Sequence, residues 1–267
     1  MLENVLKSNW LEKKPRWAFV IGFVYTILAI VAAMIVFSSS KGIASIAFLS
    51  MLLIPSLNKI LAIEEKQDAD SRRFSIKRIF KDHSDVLEIF FLLFLGIFAA
   101  YALFSIRFPD LLVSGIFDNQ LRVIGITAGH AVVSHLSFIS ILGNNLKIFL
   151  IFVILSLVFG AGAILFLAWN ASVWGVVFGY MATLKDNAFN ELSSTFLKVM
   201  PHMFAEAGAY FFALVGAGIM SQAVLREKFA SPKFNYAFKD GMVFILVGLL
   251  LLIIAALLEV YLFPVLG

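Results

Sequence analysis

No cysteine occurs among the 267 residues, so the chain can form no disulfide and offers no thiolate to a metal. Charge is also scarce, with 14% of residues being Asp, Glu, Lys or Arg. That leaves too little polar surface to cover a soluble globule of this length. Catalytic signatures are missing: there is no HExxH, no phosphate-cradling GxxxxGK[ST], no GxSxG elbow and no aspartate pair suited to intramembrane proteolysis. No motif supports a reaction class or a cofactor, and the expectation is a non-enzymatic protein. Repeats at a solenoid period and low-complexity tracts are absent, and the inverted halves of a typical transporter are not visible. One glycosylation acceptor sequence, "NAS" at Asn170 to Ser172, sits beside a hydrophobic run and reads as a chance match.

What the chain does have is apolar length. Hydrophobic residues make up 61%, 29 of them Phe, and the mean hydropathy is +0.97. Runs fall at Trp17 to Phe37, Ile43 to Ile63, Val86 to Ile106, Ile148 to Ala168, His202 to Leu225 and Met242 to Phe263. Each has the roughly 20 residues that a helix needs to cross about 30 Å of hydrocarbon. Two further stretches are ambiguous. Val123 to Leu142 carries His130, Ser134, His135 and Ser137, and Asn170 to Leu184 is short for a crossing. The reading is an all-α, polytopic transmembrane helix bundle of six to seven membrane helices, with short interfacial or re-entrant helices, forming one integral membrane domain over residues 1–267.

Charge placement selects a topology. If Val123 to Leu142 crosses and Asn170 to Met200 stays on one side, the chain makes seven crossings with its N-terminus cytoplasmic. Fifteen Lys and Arg then fall inside, among them Lys147, and five outside: Lys41, Arg107, Arg122, Lys185 and Lys198. That is the bias expected of cytoplasmic loops in a multi-pass protein of the cell membrane. The net charge of +4 is matched by anionic lipid headgroups, with no need of a nucleic acid partner.

Two polar segments suit the membrane surface. In residues 1–16, Leu2, Val5, Leu6 and Trp10 recur at helical spacing, which predicts an N-terminal interfacial helix ending near Pro15; the alternative is a frayed tail. Residues 64–85 form a cytoplasmic amphipathic linker. There Ile76, Ile79 and Phe80 share a face, largely surrounded by Arg72, Arg73, Lys77, Arg78 and Lys81, an arrangement suited to anionic lipid; the alternative is a solvated linker.

Polar groups within the spans are the candidate functional residues. In "PHMFAEAGAYFFALVGAG", Pro201 to Gly218, a helical wheel gathers His202, Glu206, Ala209, Ala213 and Gly216 in a narrow arc, with Phe204, Phe211 and Val215 opposite. Small residues let a second helix backbone approach, so the arc is read as facing protein. Pro201 suits the first turn of such a helix. Glu206 lies five residues after Pro201 and Glu259 five before Pro264, which puts them at similar depth. Asn170 and His130 can reach the same leaflet. The expectation is a buried polar cluster of His202, Glu206, Glu259, Asn170 and His130. A metal site on His202, Glu206 and Glu259 has no tight ligand motif behind it.

Four stretches together resemble the stage II sporulation protein M family of integral membrane proteins, including its archaeal-type members. They are "MLENVLKSNWLEKKPRWAFVIGFVYTILAI" at the start, "NNLKIF" at Asn144 to Phe149, "PHMFAEAGAYFFALVGAG" and the terminal "AALLEVYLFP". In that family the Pro-His pair is usually followed by glycine, with glutamate four residues after the histidine; here Met203 holds the glycine place while Pro201, His202 and Glu206 match. Glu259 falls at the family's glutamate in the last helix, and residues 123–267 form the family-like C-terminal core. The resemblance implies a multi-helix membrane protein without known catalytic activity, whose sporulation members act with peptidoglycan-remodelling partners. Two functions follow as expectations: a scaffold or assembly factor that recruits protein partners or further copies of itself, or a small channel or transporter with a proton, ion or small-solute pathway through the His/Glu cluster.

Because no native cysteine needs removal, topology is open to single-cysteine labelling. Positions in Glu64 to Asp85 and in Arg226 to Asp240 are expected to label from the cytoplasmic side, and positions in Arg107 to Arg122 from the other. Labelling of Glu64 to Asp85 and Arg107 to Arg122 from the same face would overturn the arrangement.

Overall fold

A helix hides its own backbone N–H and C=O groups, which is why apolar runs of this length fold as helices where no water can serve as partner. A computed structural model describes residues 14–67, 75–123, 138–183 and 188–262. The helices are α1 (Trp17–Val36), α2 (Lys41–Gln67), α3 (Ile76–Asp82), α4 (Ser84–Arg107), α5 (Asp110–Val123), α6 (Phe138–Phe159), α7 (Ile164–Met181), α8 (Ala188–Arg226) and α9 (Pro232–Leu257). A 3-10 turn, Gly160–Ala163, joins α6 to α7, and a π turn, Leu258–Leu262, follows α9. Among the described residues there is no strand, and six stretches are long and apolar enough to cross a membrane. The protein is an all-α, multi-pass membrane bundle.

The fourth of those stretches, Phe138–Tyr180, is 43 residues long, about twice what one crossing needs. It makes two legs, because Gly160 adopts φ +58° and turns the chain. Such a φ suits glycine, which has no Cβ to clash. The freed backbone groups find one partner on α2 and one on α6 itself. Asn58 Oδ1 of α2 accepts from the Ala161 N–H at 2.8 Å, and the buried Ser156 hydroxyl lies 3.0 Å from Gly160 O and 2.8 Å from Leu214 O. Beyond the turn, Gly175 and Gly179 of α7 lie on Phe98 to Ala102 and Ala102 to Ser105 of α4. Before it, Phe152 and Ser156 of α6 lie beside Tyr210 and Leu214 of α8.

This corrects the expected crossings. Ile148 to Ala168 is not one span, since the break at Gly160 falls inside it and hydropathy does not register a turn made of small apolar residues. Asn170 to Met200 does not lie wholly on one side: its first part belongs to α7, which begins at Ile164, and Asn170 sits within that helix. Of Val123 to Leu142, residues 124–137 lie outside the described set, and Lys147 is on α6 rather than in a loop.

The central helix is α8. Every residue from Ala213 to Ala223 is buried, so protein covers not only the arc of small residues but also most of the side opposite it. Phe211 packs edge-on against Phe91 and Phe94, Val215 is fully buried, and only Phe204 of the three stays exposed. Contact with α9 is backbone to backbone. A methyl added at Gly216 would stand 2.6 Å from Gly241 O, so these two helices meet where neither can carry a side chain. Nor does α8 start at Pro201. It begins at Ala188 and runs through the proline for 39 residues, about 58 Å at about 1.5 Å per residue.

Around this frame, α5 closes one end of the bundle, with Gln120 against Gly42 and Asp110 accepting from Thr183 Oγ1. Its Leu111 is exposed while Val113, Ile116, Phe117 and Leu121 are buried, a one-sided pattern over 14 residues that suits an end cap. At the opposite end lies α3. Its apolar side was expected on lipid, but Ile79 is buried and Phe80 packs edge-on against Phe212 and Phe244. Protein offers those rings better-fitting contacts than mobile lipid. Ile76, Lys77 and Lys81 are exposed, as is the Arg78–Asp82 pair. Arg72 and Arg73 lie outside the described residues, as do 1–13 of the expected N-terminal helix.

Replacing Asn58 with Leu strands the Ala161 N–H at the turn. The expected cost is about 1–3 kcal/mol, measured as a lowered thermal midpoint in detergent. An unchanged midpoint would show that the turn does not depend on α2.

Candidate functional site

Residues four apart share a helix face, and on α8 that spacing couples Glu206 to Tyr210. The Tyr210 hydroxyl donates to Glu206 Oε1 at 2.7 Å. Tyr210 is itself held: its ring is fully buried and lies parallel to that of Phe152 on α6, with centroids 4.8 Å apart. An aromatic stack thus orients the phenol, and the phenol orients the carboxyl. Glu259 approaches from the π turn, which packs against α8, and stands within electrostatic reach of Glu206. A π turn widens the helix by one residue and redirects the side chains around it.

Glu206 lines a cavity of about 590 Å3 between the diverging legs α6 and α7. Asn144 and Asn145 enter it from α6, and Trp169, Asn170 and Trp174 from α7. Asn170 donates one Nδ2 proton to Phe166 O of its own helix at 2.9 Å. A second cavity of about 310 Å3 lies at the Gly160 end, lined by Asn58, Lys59, Gln222 and Arg226 among others. Along α6 and α8 the residues between the two are Phe152, Ser156, Tyr210 and Leu214, all buried.

The predicted residues divide accordingly. Glu206 and Asn170 line one cavity, with Glu259 near Glu206. His202 is half-buried one turn before Glu206, yet the bond Glu206 makes is to Tyr210, because the stack on Phe152 aims the phenol at the carboxyl. His130 lies outside the described residues. Among the described residues no three His, Asp or Glu side chains are grouped to hold a metal. Of the packing residues, Ala209, Ala213 and Gly216 are buried and Pro201 is half-buried. The sequence reasoning missed Tyr210, Asn144, Asn145 and both tryptophans. The signal for Tyr210 was its place four residues after Glu206; for Asn144 and Asn145 it was a polar pair at the head of an apolar run.

The family model for stage II sporulation protein M matches residues 18–264, nearly the whole chain. No curated protein and no solved structure matches it.

Tyr210→Phe removes the donor to Glu206, and Glu206→Ala removes the acceptor. Each is expected to lower stability in detergent by about 1 kcal/mol, and the double variant to lose less than the sum of the two. Strict additivity in thermal or denaturant unfolding would show that the pair is not coupled.

Proposed function

The chain belongs to the stage II sporulation protein M family, and from that premise we propose that it is a non-enzymatic scaffold or assembly factor of the cell membrane. It holds partner proteins, or further copies of itself, at the bilayer. The observation that carries this reading is the aromatic packing between the two cavities. A solute route needs polar lining from end to end, or helices free to part. Here Phe152 stacks on Tyr210 between the two cavities, with Phe149 and Phe244 also fully buried. Backbone contact at Gly216 and Gly241 ties α8 to α9. Such packing favours a fixed frame over a moving one.

Orientation follows from charge. Arg16, Lys77, Arg78, Lys81, Arg226, Lys228, Lys233 and Lys239 belong to the end that holds the Gly160 turn, against Lys41, Arg107 and Arg122 at the α5 end. The basic end is the cytoplasmic one, with the N-terminus inside, and it meets anionic headgroups.

Copurification from native membranes and a flux assay in liposomes separate the readings. A stoichiometric protein partner or a defined oligomer, with no flux, is the expected result. Selective flux of protons, ions or small solutes by the isolated protein would overturn the scaffold as the main account.

A further inference from the structure

The larger cavity has a chemical imbalance. Among the described residues its polar lining consists of one carboxyl, Glu206, the three amides of Asn144, Asn145 and Asn170, and the indoles of Trp169 and Trp174, with no Lys, Arg or His. Tyr210 serves Glu206 Oε1, and Glu259 of the π turn, which packs against α8, is a second carboxyl rather than a counter-charge. Carboxyl groups inside a membrane are costly without a positive or hydrogen-donating partner. Indole faces attract cations, and amide oxygens add acceptors for N–H donors.

The rest of the wall is apolar, and its rim faces lipid. Ile43 of α2, Ile151 of α6 and Leu165 of α7 line the cavity and are 47%, 41% and 39% exposed, all within membrane-spanning stretches. The opening therefore leads sideways into the bilayer, and a molecule entering there carries an alkyl chain.

We propose that this cavity binds an amphiphile with a primary ammonium head group. The ammonium donates to the Glu206 carboxyl and to asparagine amide oxygens between the two indoles, and the alkyl part lies along Ile151 and Leu165. A primary ammonium fits better than a quaternary one because the site presents acceptors that need N–H donors. The source is either a free long-chain amine or an aminophospholipid. With no Lys or Arg among the described lining residues, a phospholipid's phosphate stays outside the rim.

The test uses the full chain in phosphatidylcholine nanodiscs, with radiolabelled dodecylamine as probe. Saturable binding is expected, with dodecanol and spermidine competing at least tenfold more weakly than unlabelled dodecylamine, since one lacks the charge and the other the chain. Competition by phosphatidylethanolamine at concentrations comparable to dodecylamine assigns the site to lipid, and its failure to compete assigns it to a free amine; both support the site. Glu206→Gln is expected to weaken dodecylamine binding at least tenfold. Asn170→Leu, which leaves the Tyr210–Glu206 bond in place, is expected to weaken it several-fold, and it decides the matter if the first variant does not fold. Equal competition by dodecanol or by spermidine, or parental affinity in the folded variants, overturns the proposal.

Discussion

A chain that reverses inside an apolar run must find partners for the backbone groups it releases, and the rest of this bundle depends on how the Gly160 turn does so. Asn58 serves the Ala161 N–H from α2, and the single Ser156 hydroxyl proton is shared between Gly160 O and Leu214 O of α8. Each bond is small in net terms, but each buried polar group left unmade would cost more than the bond contributes. The turn is thus tied to α2 directly and to α8 through the Ser156 hydroxyl. It sends α6 along α8 and α7 along α4, and the space between the diverging legs becomes the larger cavity.

The central helix answers a different constraint. Lipid removes the hydrophobic drive between helices, leaving close packing and hydrogen bonds to hold them. Gly216 meets Gly241 backbone to backbone, while Ala209 and Ala213 are fully buried. Elsewhere the gaps are filled by rings: Phe152 on Tyr210, Phe211 against Phe94, Phe80 against Phe212 and Phe244. The high phenylalanine content therefore serves the interior as well as lipid contact. Between the two cavities, Phe152 stacks on Tyr210.

Most of the fold was legible, because hydropathy finds helices and period finds their faces. Part of the candidate site was legible too. Glu206 and Asn170 stand out as polar residues in apolar runs, and they line one cavity. Their partners were hidden for physical reasons. Tyr210 reads as one more aromatic among many until its ring is seen stacked on a residue 58 positions earlier. Trp169 and Trp174 are unremarkable in an apolar helix until α6 diverges from it.

The sequence by itself determined the solvent and the elements: lack of charge and length of apolar runs dictate a helical membrane protein, and the match over residues 18–264 places it in its family. Tertiary structure decided where one run becomes two legs: at Gly160 the chain turns, and Asn58 and Ser156 meet the backbone groups there. It also decided that Pro201 lies within a helix rather than at its start, and that α8 has no lipid face over Ala213 to Ala223. Local periodicity reports which residues share a side. How many neighbours cover that side is set by packing between segments far apart in the chain, and a wheel drawn for one helix does not contain it.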